Sequence, residues 1–256
     1  MSNQCVFTND NNAVITLVDH PFSNMFARRN NHEVLFRRIS TFLILRGDIR
    51  GNIIDLGAWI GDNTVPWAKN IDINNTIYAI DPSTDNCDFI RQTCVLNSIT
   101  NVEVIQTAIS DKNEILSTSD DLTHCSFLTE GANKVSAVTL DHLFQNNTIK
   151  NVGYIHLDVE GLEFRVILGA DKLIYEMRPI IAFEQHLETD NVMELVRHLN
   201  SKQYVVFMID EVLPGCFPDC RNFLAFPNEK FDCKIVEELN AFIGRPVFVK
   251  EYVFDR

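Results

Sequence analysis

From residue 52 to residue 226 the chain repeats one alternation, a short apolar run followed by an amphipathic stretch, and few folds accommodate that rhythm. The runs are Asn52–Leu56, Thr76–Ile80, Val102–Thr107, Val135–Leu140, Tyr154–Val159 and Ile180–Glu184. Each is short, and most are rich in the β-branched residues that strands favour. Helical spacing fills the gaps between them. Helices are expected over Asp62–Asn70, from a cap at Ser83 or Thr84 to about Asn97, from Asp141, over Leu162–Tyr175 and over Asn191–Ser201. Pro66 falls in the first turn of its helix, where a missing N–H costs little. Strands and helices in this order build βαβ units, hence a parallel sheet with helices on both faces. Tyr204–Ile209 and Asn222–Phe226 have no helix between them, so an antiparallel hairpin at one sheet edge is expected.

Upstream of this pattern, residues 4–18 read as two short strands around the turn-forming "TNDNNA". His32–Arg46 then carries its apolar residues at helical spacing, with Gly47 as the stop. The expected organisation is therefore a strand pair and helix over residues 1–50, packed on an α/β domain over 51–256. Residues 111–134, with "STSDD" and "EGANK", read as a polar loop.

Composition narrows the partners. A formal charge of −13 over 256 residues leaves only Arg28-Arg29 and Arg37-Arg38 as basic clusters, which argues against a nucleic-acid partner. No apolar run reaches the roughly 18–20 residues that span a bilayer. The amino-terminal "MSNQCVFTNDNN" lacks the pattern of a signal peptide. Seven scattered cysteines suit reduced thiols and a cytoplasmic setting. Cys216 and Cys220 have only Cys233 near them in sequence, so both are expected to be unligated.

The chemistry is expected at "NIIDLGAWIGDNT", where a strand ends in Asp55 and breaks into Gly57, Ala58 and Gly61. In open α/β sheets, ligands sit beyond the carboxyl ends of the strands. Glycines let the backbone approach a ligand, and the following helix start offers N–H groups to an anion. Asp81 ends the next strand 26 residues after Asp55, placed to accept ribose hydroxyls. A dinucleotide fingerprint would have a glycine where Trp59 stands. A nucleoside with an amino-acid tail fits better, since Asp55 suits its ammonium; S-adenosylmethionine carries both parts. An NAD-dependent oxidoreductase is the weaker alternative.

The segments "IIDLGAWIGDNT", "IYAIDPS", "NVEVIQTAISDK", "VTLDHL", "YIHLDVEGLEFRVILGA" and "RPIIAFEQH" follow one another over roughly 52–186. In that order they resemble the FkbM family of S-adenosylmethionine-dependent methyltransferases. The resemblance implies the class I methyltransferase fold, a Rossmann-like, mostly parallel seven-stranded sheet with an antiparallel edge strand. It also implies O-methylation of a sugar or small-molecule hydroxyl. Cofactor contacts are then expected from Asp55, Gly57, Ala58, Trp59, Gly61, Thr64, Asp81, Pro82, Ser83 and Ala108. The chain departs from the family pattern at Trp59, commonly Asn, at Asp81, commonly Glu, and at His156, commonly Lys. These departures leave open a second reading, a cofactor-binding scaffold that has lost turnover.

Methyl transfer asks for alignment, and an alcohol acceptor also asks for a base. In "HLDVEG", His156, Asp158 and Glu160 would share a strand face, with Asp158 nearest the substrate and Glu160 alternatively serving the next helix start. In "AFEQH", Glu184 and His186 share another, and His186 has the residue type best suited to a base. Asp158, Glu184 and His186 are the expected catalytic set. Their types suit Mg²⁺ or Mn²⁺, although the spacing calls for no ion. His124 and His142 are assigned to structure or surface. The N-terminal segment, the 111–134 interval and the Cys216–Cys220 loop are the expected walls of the acceptor pocket. Arg28 and Arg29 suit an acidic acceptor or else an ordinary charged surface.

Overall fold

The computed structural model describes residues 3–6, 13–119, 127–128, 133–188, 190–213 and 216–254. His124, most of the "TNDNNA" turn, the middle of the 111–134 interval, Pro214 and Gly215 lie outside the described residues. The N-terminal segment forms the antiparallel pair β1 (Asn3–Val6) and β2 (Val14–Leu17), then α1 (Phe22–Arg28), a 3-10 turn at Arg29–Asn31 and α2 (Val34–Arg46). Gly47 closes α2 at φ 82°, as its position after the last apolar residue predicts.

The alternating segment gives β3 (Asn52–Leu56), α3 (Thr64–Ala68), β4 (Ile77–Asp81), α4 (Thr84–Leu96) and β5 (Val102–Gln106). A side sheet follows, made of β6 (Ala108–Ile109), β7 (Glu114–Thr118), β8 (Phe127–Leu128) and β9 (Asn133–Val138). Next come α5 (Leu140–Gln145), β10 (Val152–Leu157), α6 (Glu163–Leu168), α7 (Asp171–Met177), β11 (Ile180–His186) and α8 (Val192–Ser201). The chain ends with β12 (Tyr204–Ile209), β13 (Cys220–Pro227), α9 (Cys233–Ile243) and β14 (Phe248–Phe254).

The central sheet runs β14-β12-β13-β11-β10-β3-β4-β5. Strands β11, β10, β3, β4 and β5 pair in parallel, while β13, β12 and β14 join antiparallel. Alternate residues feed opposite faces. Ile54 and Leu56 pack with α6, α7 and α8, whereas Ile53, two strands from Ala182, packs with α2, α3 and α9. Helices therefore cover both faces. The chain winds from β3 outward through β4 and β5, then returns to place β10 on the other side of β3. That reversal opens a crevice at the carboxyl ends of β3 and β10.

The sheet has eight strands rather than seven. The extra one is β14, from an apolar tail run beyond the point where the sequence pattern was followed. It takes the edge, so the expected β12–β13 hairpin sits one strand inside it. The helix expected over 62–70 is only five residues long, and Asp62 and Asn63 before it turn toward the buried Arg37. The helix expected over 162–175 breaks at Gly169, where a Cβ would lie 2.2 Å from the Ser110 carbonyl oxygen. Part of the interval expected to be loop is β7, held to β9 by a five-residue antiparallel register. No helix of the described residues is long and apolar enough to cross a membrane.

Candidate active site

The turns that follow β3 and β10 touch. Gly57 sits at φ 69°, and a Cβ there would lie 1.7 Å from the Asp158 carbonyl oxygen. No other residue type fits that close approach. Trp59, two positions on, also adopts a left-handed conformation, φ 46°. Asn enters that region more readily than a bulky residue such as Trp does. Here the conformation is held by the Trp59 N–H, which donates to Asp81 Oδ2 at 2.9 Å.

Above the two turns lies a cavity of about 430 Å³, within the range of small-molecule sites. One rim comes from Gly57 and Trp59 after β3, Asp81 and Pro82 after β4, and Thr107–Ile109 after β5. Asp81 Oδ1 accepts from the Ser83 N–H at 2.8 Å and the Asn86 amide at 3.1 Å. Burial pushes its carboxyl up to about 6, against the pull of these donors. Oδ2 keeps acceptor capacity beyond the Trp59 N–H.

The other rim carries Asp158, Val159 and Glu160 after β10, and Glu184 on β11. Burial, reinforced by the Glu184, Glu33 and Glu160 charges, raises the Asp158 carboxyl well above the usual range; Arg29 opposes the rise. The roof is Met25, Arg28, Arg29, His32 and Glu33 from the N-terminal segment, with Leu213 and Cys216 from the loop after β12.

A buried ionic knot fixes that roof. Arg37 Nη2 lies 2.6 Å from Asp62 Oδ2 and 3.6 Å from Glu33, and its Nε donates to Asn63 at 2.8 Å. Arg29 meets the same two carboxylates at 2.9 Å. Burial alone would raise Glu33 and Asp62, but the two guanidiniums outweigh it and hold both below the ordinary range. Asn222 on β13 donates to Glu33 at 2.9 Å. Glu211 bonds the N–H groups of Leu35 and Phe36, capping α2 from across the fold. Glu33 has no side-chain cap of its own and sits at φ 49°.

The structure redistributes the residues singled out from the sequence. Gly57, Trp59, Asp81, Pro82 and Ala108 line the cavity. Ala58 and Gly61 lie behind it, packed in the core with Val65 and Ile90, and Ser83 caps α4. Asp55 does not face the cavity. Its carboxylate accepts from Thr64 Oγ1 and pairs with His156 Nδ1 at 2.8 Å, fully buried. The place of the expected ammonium beside Asp55 is thus taken by the His156 ring in the protein's own core. Burial would lower the His156 imidazole, yet the Asp55 hydrogen bond and charge raise it overall. The expected His156–Asp158–Glu160 face does not form, because β10 ends at Leu157 and Glu160 turns at φ 54°.

His186 also stays outside the cavity lining, behind Glu184, with Nε2 3.9 Å from Glu184 Oε1 and Nδ1 3.6 Å from Asp219. The Cys220 thiol donates to Glu184 Oε1 at 2.7 Å. Arg29 is no surface charge but part of the knot, and β7 does not reach the cavity. His142 is exposed on α5. Asn86, Glu33, Glu211 and Asn222 were not singled out. Asn86 sits one turn into a helix capped by Ser83, a findable position beside Asp81; Glu211 reaches α2, and Asn222 reaches Glu33, across more than 170 positions of sequence.

A family model for the Methyltransferase FkbM domain matches residues 55–206. The crystal structure of methyltransferase FkbM from Methylobacillus flagellatus KT superposes with a TM-score of 0.52 at 16% identity, over 69% of this chain and 44% of that one. This chain thus spans under half the length of that protein. An O-methyltransferase from Bacillus cereus, solved in complex with SAH, gives a TM-score of 0.53 at 16% identity over 80% and 88% of the two chains. An rRNA methylase from Streptococcus thermophilus gives 0.50 at 13% identity, over 77% and 96%. At these identities the likeness is one of fold. No curated protein matches the sequence.

Proposed function

The chain belongs to the FkbM methyltransferase family, and on that basis we propose that it methylates a hydroxyl of a sugar, glycan or small molecule using S-adenosylmethionine. The observation that carries this reading is the cavity between two rims, with Asp81 on one and Asp158 on the other. S-adenosylmethionine supplies a methyl group on an electrophilic sulfonium. The residues present suit it: Gly57 in the cavity lining, acceptor capacity on Asp81 for a ribose hydroxyl, and a cavity of fitting size. Asp55, Thr64, Ala58, Gly61 and Ser83 support the turn from behind rather than touching the ligand.

Asp158 is the base in this reading. Its raised carboxyl is a better proton acceptor than an ordinary aspartate, and it opens into the cavity. Glu184 shapes the wall beside it, and His186 positions Glu184 from behind. The lining holds Glu33, Asp81, Asp158, Glu160 and Glu184 against Arg28 and Arg29, and Arg29 is already paired. That balance favours a neutral polyhydroxyl acceptor over an acidic one. The six described cysteines are free, which suits a reducing, cytoplasmic setting.

Calorimetry with S-adenosylmethionine, its demethylated product and NAD is the first test: both sulfur nucleosides bind and NAD does not. Mass spectrometry of glycans and metabolites incubated with isotopically labelled cofactor then identifies the acceptor. Asp158→Asn should slow turnover by about 100-fold or more while cofactor affinity holds. Absence of sulfur-nucleoside binding removes the reading, and an unaltered rate in Asp158→Asn removes the base. Binding without transfer to any acceptor would favour the scaffold alternative.

A further inference from the structure

Strands β11 and β13 pair antiparallel with His186 directly opposite Cys220. Cross-strand partners point to the same side of a sheet, and Glu184, two residues before His186, shares it. The loop that leads into β13 returns Cys216 to the same spot. One carboxylate oxygen, one imidazole nitrogen and two sulfurs converge there, all within 4.8 Å of one another. Around Glu184 Oε1 the distances are 2.7 Å to Cys220 Sγ, 3.8 Å to Cys216 Sγ and 3.9 Å to His186 Nε2. A tetrahedral zinc site with metal–ligand bonds of about 2.0–2.3 Å places its ligand atoms roughly 3.3–3.8 Å apart. Four side chains from two strands and a loop already stand at nearly that spacing. The short Cys220–Glu184 contact need only open by about 1 Å to match it.

We propose that Cys216, Cys220, His186 and Glu184 form a Zn²⁺ site in the wall of the cavity, a site that stands independently of the methyl-transfer reading. Two thiolates with an imidazole and a carboxylate select zinc; Mg²⁺ and Ca²⁺ reject sulfur ligands. Binding displaces two thiol protons to solvent, and the ion takes their place as the shared partner of both sulfurs and Glu184. The surroundings are those of a ligand histidine. Nδ1 of His186 faces the Asp219 carboxylate at 3.6 Å, which orients the ring and directs Nε2 inward, and Phe217 covers the ring edge-on at 5.6 Å between centroids. With all four positions taken by protein the site is closed, so its work is structural. It pins Cys216, which lines the cavity, to the sheet.

The full chain, reduced and stripped with a chelator, should take up about one Zn²⁺ per chain when titrated against a chromophoric chelator, with sub-micromolar affinity. Co²⁺ in its place should show tetrahedral d–d absorption and a thiolate charge-transfer band, a readout that needs no variant. Cys220→Ser and Cys216→Ser should each shrink that band and weaken zinc by more than the roughly 10–100-fold expected of Asp219→Asn. Circular dichroism identifies any variant that fails to fold, and His186→Ala then serves in its place. No zinc bound by the reduced wild-type chain, a Co²⁺ spectrum without a thiolate band, or undiminished affinity in Cys220→Ser overturns the site.

Discussion

The two rims of the cavity hold their carboxylates by different means. Asp81 is stabilised by dipoles, two backbone N–H groups and one side-chain amide, with no salt bridge among the described residues. Asp158 and Glu33 sit in a field of formal charge, Asp158 opposed by Arg29 and Glu33 by Arg29 and Arg37. The hydrogen-bond partners of Asp81 lie no more than 22 positions from it, whereas the charged side, rim and roof together, joins Glu33 to Asn222, 189 positions away. Short-range dipoles make a site that survives rearrangement elsewhere. Buried charges make one that depends on the whole fold being closed.

The largest effect therefore belongs to the knot. Arg37→Met should cost about 3–5 kcal/mol, because it leaves Asp62 and Glu33 buried beside a single remaining cation. Chemical denaturation measures it. A loss under 1 kcal/mol would mean that the charged rim is as self-sufficient as the dipolar one, and the contrast would fall.

Glu163 tests the same contrast by pH. It begins α6 behind the charged rim, accepts from the N–H groups of Val159 and Gly161, and burial pushes its carboxyl up to about 7. The folded state therefore holds a proton that the unfolded chain releases nearer 4.5. Its contribution to stability is complete below about pH 4.5 and is lost as pH rises through about 7, on the order of 3 kcal/mol in all. Glu163→Gln should remove that part of the decline. Parallel pH–stability curves for the two proteins would show that the carboxyl is not held protonated.

Asp81→Ala asks what the dipolar rim contributes. Hydrogen bonds to a charged group are worth about 1.5–3 kcal/mol, so affinity for S-adenosylmethionine should fall by about 10–100-fold. The fold should suffer less than in Arg37→Met, since the change leaves no buried charge without its partner. Unchanged affinity by calorimetry would detach Asp81 from the ligand.

The same contrast decides what the sequence discloses. The parallel strands, Gly57 and Asp81 are legible because each follows from its own neighbours: an apolar run, a turn, an acid at a strand end. The glycine at 57 is expected to admit a ligand, and the structure uses its missing Cβ instead for the close contact with the Asp158 turn. Asp55 misleads for a physical reason. Its position in the motif is that of a ligand contact, but its partner His156 arrives from β10, 101 positions later, and closes it off. Glu211 capping α2, and Cys216 meeting His186, likewise depend on loops whose paths no local pattern sets. β14 is a different case: α9 and the apolar run after it continue the strand–helix–strand rhythm beyond residue 227, past the last strand expected from the sequence.

Arg165 provides the smallest effect and the control for the others. Like Arg37 it meets two carboxylates, Asp111 at 2.6 Å and Glu114. Geometry alone would rank the two knots together. Exposure separates them: the Arg165 side chain is 35% exposed and that of Arg37 4%. Water screens the outer pair and already solvates each partner when the other is removed, so Arg165→Ala should cost less than about 1 kcal/mol. The loss should also shrink in about 1 M salt, where charges more than roughly 3 Å apart are screened, while the Arg37→Met loss should persist. Equal losses for the two arginines would show that burial is not what gives the inner knot its weight. The charged rim would then owe its stability to contact geometry rather than to the dry interior around it.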